Sequence, residues 1–147
     1  MKKTKFDSKK PTVQMLGRWQ PWHDGHLALF RKCHSITGQV CIMIRDCQGV
    51  DDNPFDVETV TQNIINGLKN HNFHIDEDYI IQIVPNITNI SYGRGVGYTF
   101  TEHDLGEGIH QISATKIRKE MREKGELKDN FYKEDFYHDF DGDYLRE

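Results

Sequence analysis

Apolar and polar positions fall into blocks along the chain, and the spacing within each block names an element. Val13, Met15 and Leu16 form a short apolar run behind Pro11 that Gly17 ends, which predicts a strand over about 12–17. From Leu27 the apolar residues recur at Phe30 and Cys33, with Leu29 and Ile36 broadening the stripe, so a helix over about 25–36 buries one side. Gly38 breaks it. Gln39-Val-Cys-Ile-Met-Ile-Arg45 is almost continuously apolar, the pattern of a parallel strand covered on both faces. Asp56 is placed to N-cap a helix that buries Val57, Val60, Ile64, Ile65 and Leu68 and runs to about Asn70. Tyr79-Ile-Ile-Gln-Ile-Val84 is a third strand, closed by Pro85.

The remaining blocks are shorter. Val96, Tyr98 and Phe100 alternate with polar residues and predict a strand at about 96–102, followed by a turn over 104–108. Ser113 is a natural N-cap for a helix that carries Ile117 and Met121 and stops at Gly125. Beyond it Tyr132, Phe136, Phe140 and Tyr144 recur at i+4 among acids, an amphipathic helix that packs on the domain or on a second subunit. Strand, helix and strand in this order make right-handed βαβ units. The expected class is α/β, a Rossmann-like parallel sheet flanked by helices, with its ligand crevice at the strands' C-terminal ends.

Composition narrows this. At 147 residues the chain holds one ordinary domain. Residues 1–11 read as a flexible basic tail, 12–125 as the domain and 126–147 as a C-terminal helical extension. With 36% apolar and 29% charged residues, and no window near the ~18 apolar residues of a membrane span, the protein is expected to be cytoplasmic with no membrane partner. Residues 1–11 carry five Lys against Asp7, net +4, whereas 126–147 carry eight acids against Lys128, Lys133 and Arg146, net −5. The body is acidic and its aromatics do not interleave with a basic face, so nucleic acid is not an expected partner. Cys33, Cys41 and Cys47 are odd in number, form no CxxC and read as reduced packing thiols.

Candidate chemistry lies at two helix starts. His23 and His26, three apart with Gly25 between them, sit where the first strand turns into the first helix, and helix N-terminal N–H groups favour an anion there. Ser113, Thr115, Lys116 and Arg118 cluster at another helix start, where Lys116 stands at the position a capping box gives to an acid. Two such sites suit a nucleoside triphosphate: the first for the reacting phosphate, the second for the part that leaves. A phosphate acceptor is already anionic, so nucleotidylyl transfer needs no general base, and positioning with charge stabilisation suffices. Mg²⁺ is expected with the triphosphate. Trp22 is a candidate ring-stacking residue. Asp46, in the 46–55 loop, and Arg94, among Gly93, Gly95 and Gly97, are candidate substrate contacts, and the glycine spacing is not GxGxxG. Structural alternatives are plain: the histidines could cap, pack or bind zinc with Cys33, Ser113 and Thr115 could be caps, and Trp19 and Trp22 could simply pack.

GRWQPWHDGH resembles the G-R-F-Q-P-F-H-x-G-H signature of the archaeal-type nicotinamide mononucleotide adenylyltransferases. ISATKIR resembles the I-S-x-T-x-I-R signature of the wider HxGH nucleotidylyltransferase superfamily, and Asn53-Pro54-Phe55 resembles an N-P-F segment of that adenylyltransferase group. The resemblance implies that 12–125 is a nucleotidylyltransferase domain whose catalytic residues are His23, His26 and Arg118. It also implies that Gly17, Arg18, Trp19, Gln20 and Gly25 lie at the nucleotide with Ser113, Thr115 and Lys116, and that Asn53 lies near the substrate. ATP is the favoured donor. Thr59, where the group carries an Arg, and the segment 92–97 depart from the pattern. Related cytidylyltransferases share both signatures, so CTP with a polyol, sugar or amino-alcohol phosphate is the alternative. A catalytically silent nucleotide-binding scaffold is the alternative of another class.

Overall fold

The computed structural model describes residues 5–48, 52–95, 97–110 and 112–127. The C-terminal helix expected over 126–147 lies outside them from residue 128 onward. Three parallel strands, β1 (Val13–Gly17), β2 (Val40–Arg45) and β3 (Tyr79–Val84), stand in the order β1-β2-β3. Helix α1 (Asp24–Thr37) joins β1 to β2, and α2 (Val57–Lys69) joins β2 to β3. The α/β Rossmann-like class is as the sequence pattern implies. Two short helices follow, α3 (Glu107–His110) and α4 (Ala114–Glu123).

The register puts Val40, Ile42 and Ile44 of the central strand on one face, all at 0% exposure, against Phe30 of α1 and Val60, Ile64 and Leu68 of α2. Strand alternation explains why every second residue of β2 is core. The opposite face is more polar: Gln14 Nε2 donates to Met43 Sδ, and the Cys41 thiol to Gln82 Oε1. Gly38, at φ 80°, ends α1 through a left-handed turn that its missing side chain permits. Asp56 caps α2 as expected, its carboxylate accepting from Thr59 N–H. That bond holds the Asp56 carboxyl below its ordinary range. Of the N-terminal segment, Phe6 N–H donates to the Asp76 carbonyl and Asp7 N–H to Gln39 Oε1.

Two local expectations are corrected. Residues 97–102 form no strand: Tyr98 and Phe100 are exposed, and Phe100 stacks on Tyr92 with ring centroids 4.9 Å apart. Alternation signals a strand only where an open ladder is available to receive it, and here the aromatics find each other first. The turn over 104–108 is instead the approach to α3, which packs against α1.

Tyr79 sits in the core with its hydroxyl buried and unsatisfied among the described residues. Burial, then Asp78 and Asp76, push its pKa up to about 12. Tyr79→Phe is therefore expected to leave stability unchanged or raise it by about 1 kcal/mol, because a desolvated hydroxyl without a partner costs free energy. A urea melt of both proteins checks this, and a drop in midpoint would show that the hydroxyl is in fact bonded.

Candidate active site

The turn from β1 into α1 is built around its own aromatic residues. A Cβ at Gly17 would lie 2.7 Å from Trp19 Cζ2, so the close approach that this glycine permits is to the Trp19 indole. Trp19 takes φ 55°, which is rare for a bulky residue and persists only where the surroundings hold it. Its Nε1–H donates to the Met43 carbonyl at 3.0 Å, and the side chain is buried. Trp19 thus stands behind the turn rather than on its surface. The Gln20–Pro21 peptide is cis. The Gln20 amide exchanges two hydrogen bonds with the Phe55 backbone, 2.9 Å each, which clasps this loop to the one leaving β2.

His23 is the N-cap of α1. Its Nδ1 accepts from Gly25 N–H at 3.0 Å, and His26 Nδ1 accepts from His23 N–H at 3.1 Å, a capping box made of two imidazoles. A backbone N–H only donates, so each Nδ1 presents a lone pair and the proton of each neutral ring is assigned to Nε2. Both rings therefore offer an Nε2–H donor beside the helix N-terminus. They stack at 3.6 Å, and Trp19 meets His26 edge-on at 4.7 Å. Gly25 is needed because a Cβ there would fall 2.8 Å from His23 Cε1. Capping and anion donation, alternatives in the sequence, use different nitrogens of the same rings.

Helix α4 joins the turn through Arg118, which is 1% exposed. Its guanidinium donates to the Gln20 carbonyl, to Thr115 Oγ1 at 3.3 Å and to Asp52 Oδ1 at 3.5 Å. The two signatures, ninety-two residues apart between His26 and Arg118, thus meet at Gln20. Ser113 Oγ accepts from Lys116 N–H at 3.3 Å, so this hydroxyl caps α4, as its N-cap position in the sequence implies. The Lys116 side chain is exposed.

The other candidates divide. Arg18, 2% exposed, donates to Asn53 Oδ1 at 3.3 Å, which places both at the strands' C-terminal edge. Asp46 is exposed and extends the β2–β3 ladder through its N–H to the Val84 carbonyl. Arg94 is exposed and is not joined to the histidines by any contact among the described residues. Trp22 lines a cavity of about 440 Å³ between α1 and α2, with His23, Phe55, Asn63, Gly67 and Met121. Arg45 and Asn86, hydrogen-bonded to each other at the strands' C-terminal edge, escaped the sequence reading. Arg45 left a signal, a charged residue closing an otherwise apolar buried strand at its ligand end. Both imidazole Nε2 atoms are buried, and Ile109 of α3 lies near Gly25. Among the described residues no group of three or more His, Cys, Asp or Glu is placed to hold a metal, zinc with Cys33 included. Cys33 is instead a buried thiol with its pKa raised to about 11 by desolvation.

No family model and no solved structure matches the chain. Curated proteins do. A nicotinamide-nucleotide adenylyltransferase of Methanococcus maripaludis (strain S2) is 28% identical over 131 residues, covering 74% of this chain and 77% of its own. That of strain C6 is 28% identical over 129 residues, covering 73% and 75%. A Methanococcus aeolicus protein of the same name is 36% identical over 61 residues, 40% of this chain and 36% of its own. With the Rossmann-like sheet and the two signatures brought to one place, these similarities support an enzyme of the nucleotidyltransferase class, and the chain is similar to the archaeal nicotinamide-nucleotide adenylyltransferases over about three quarters of its length.

Proposed function

We propose that the protein transfers AMP from ATP to a phosphorylated small-molecule acceptor, with nicotinamide mononucleotide, named in its relatives, as the acceptor. The observation that carries this reading is the join between the two signatures: imidazole Nε2–H donors at the start of α1, tied through Gln20 to Arg118 of α4.

An oxygen of the acceptor's phosphate attacks the α-phosphorus. The bond from that phosphorus to the α,β-bridging oxygen breaks, and pyrophosphate leaves with the electron pair. The acceptor enters as an anion, so no side chain has to take a proton from it. His23 and His26 donate to the α-phosphate and the bridging oxygen, where charge grows, and Lys116 and Arg118 neutralise the departing β and γ phosphates. Arg18, held by Asn53, adds positive charge at the strand edge. Mg²⁺ bound to ATP would neutralise part of the triphosphate's charge beside Lys116 and Arg118.

The test is pyrophosphate release with ATP or CTP, each paired with nicotinamide mononucleotide or glycerol 3-phosphate. ATP with nicotinamide mononucleotide is expected to be fastest by at least about tenfold, the margin of one well-placed polar contact in the donor pocket. A faster reaction of CTP with glycerol 3-phosphate would replace both substrates. Tight ATP binding with no release from any pair would make the protein a nucleotide-binding scaffold.

A further inference from the structure

Gln20 is 1% exposed, and its side chain and its backbone are committed in two directions. The amide Nε2 donates to the Phe55 carbonyl and Oε1 accepts from the Phe55 N–H, both at 2.9 Å. The Gln20 backbone carbonyl accepts from Arg118 Nη1. Three residues before Phe55, Asp52 Oδ1 accepts from Arg118 Nη2 at 3.5 Å. Two of the acceptors around the Arg118 guanidinium therefore stand on different loops, the β1–α1 loop at Gln20 and the β2–α2 loop at Asp52. The Gln20 amide ties those loops together, and the longer bond from Arg18 Nη1 to Asn53 Oδ1, at 3.3 Å, runs beside it.

Holding the Phe55 backbone by both its N–H and its carbonyl takes a donor and an acceptor on one side chain, which a carboxamide supplies. Methionine, of similar length, supplies neither. A glutamate carboxylate only accepts, so it would face the Phe55 carbonyl with no proton to give. We infer that Gln20 is a positioning residue for the transfer: by fixing Phe55 it sets the spacing between the Gln20 carbonyl and Asp52, and so aims the Arg118 guanidinium at the departing phosphates. The inference rests on the transfer reaction proposed above. Buried, with both ends of its amide turned to Phe55, the side chain acts through Arg118 and not on the nucleotide itself. That places Gln20 one step behind the nucleotide, where the sequence resemblance puts it in contact.

The experiment is a double-mutant cycle. It measures kcat/KM for ATP, and the dissociation constant for ATP, in the wild type, Gln20→Met, Arg118→Met and the variant carrying both changes, well below their melting temperatures. Gln20→Met is expected to lower kcat/KM by about 10- to 100-fold, the scale of a displaced catalytic group. In the Arg118→Met background the same change is expected to cost less than about threefold, because residues that act as a unit are not additive. A glutamine with a structural role alone would lower the melting temperature and leave the two losses multiplicative. Gln20→Glu keeps the length of the side chain, so it carries the test should the methionine variant fail to fold. Its protonated acid can donate to the Phe55 carbonyl again, and burial raises a carboxyl's pKa. Its kcat/KM relative to wild type is therefore expected to rise as pH falls from about 8 to about 5, whereas the Gln20→Met ratio stays flat. Losses that multiply, an undiminished kcat/KM in Gln20→Met, or a Gln20→Glu ratio that does not change with pH overturns the inference. Multiplying losses in an enzyme that transfers leave the functional reading standing and remove the positioning role. A wild type that binds ATP without transfer removes the functional reading, and non-additive losses of ATP affinity then keep the positioning of Arg118 by Gln20. No ATP binding by the wild type overturns both.

Discussion

His26→Ala is expected to lower kcat by about 10²- to 10³-fold, the effect of removing one donor aimed at developing charge, while the dissociation constant for ATP stays within about tenfold. The geometry separates two contributions of this ring. Its Nδ1 accepts His23 N–H and completes the capping box, and its Nε2 is the donor. Loss of the cap should cost about 0.5–2 kcal/mol of stability, and the ring's contacts with Trp19 and His23 go with it. His26→Asn distinguishes the two, because an Asn carbonyl oxygen can still accept at that position of the helix. It should recover melting temperature more than turnover. Normal turnover in His26→Ala would refute the role assigned to the ring.

Arg118→Met is expected to lower kcat/KM for ATP by about a thousandfold, at the low end for a lost arginine at a transferring phosphate. The side chain is buried and spans three elements: the β1–α1 loop at Gln20, the β2–α2 loop at Asp52, and its own helix at Thr115. Methionine keeps most of the stem, so the principal loss is charge and donors. The Gln20 carbonyl and Asp52 carboxylate would lose a donor, at a further cost of about 1–3 kcal/mol for each group left buried and unsatisfied. Steady-state kinetics well below the melting temperature isolate the first effect. A variant that melts earlier but keeps kcat/KM would make Arg118 a structural clasp only.

The β1-α1-β2-α2-β3 order was legible because each element carries its own period. Gln39–Arg45 is too apolar for an edge strand, and it forms the central strand with three residues at 0% exposure. Asp56 and Gly38 punctuate α2 and α1 through local hydrogen bonding and φ, which a sequence displays directly. Contacts between distant residues were less legible. Gly17 announces a close approach without saying to what, and the neighbour is Trp19, two residues on. Ser113 reads as an N-cap even though Lys116 replaces the acid of a capping box, because its hydroxyl needs only the Lys116 N–H, which every residue but proline supplies. The alternation at 96–102 could not reveal whether a neighbouring strand awaited it. Gln20 was chosen as a nucleotide contact, and the structure commits its side chain to Phe55 and its carbonyl to Arg118. That commitment makes the two signatures one site.

The joined site is expected to move the α-phosphorus of a nucleoside triphosphate and to release the other two phosphates together. Phosphorus-31 NMR of the purified protein with ATP, Mg²⁺ and nicotinamide mononucleotide tests it most directly. The expected spectrum shows the α resonance moving into a new dinucleotide diphosphate as pyrophosphate grows in equal amount. Conversion to ADP and inorganic phosphate, or an unchanged ATP spectrum over many expected turnovers, would contradict it.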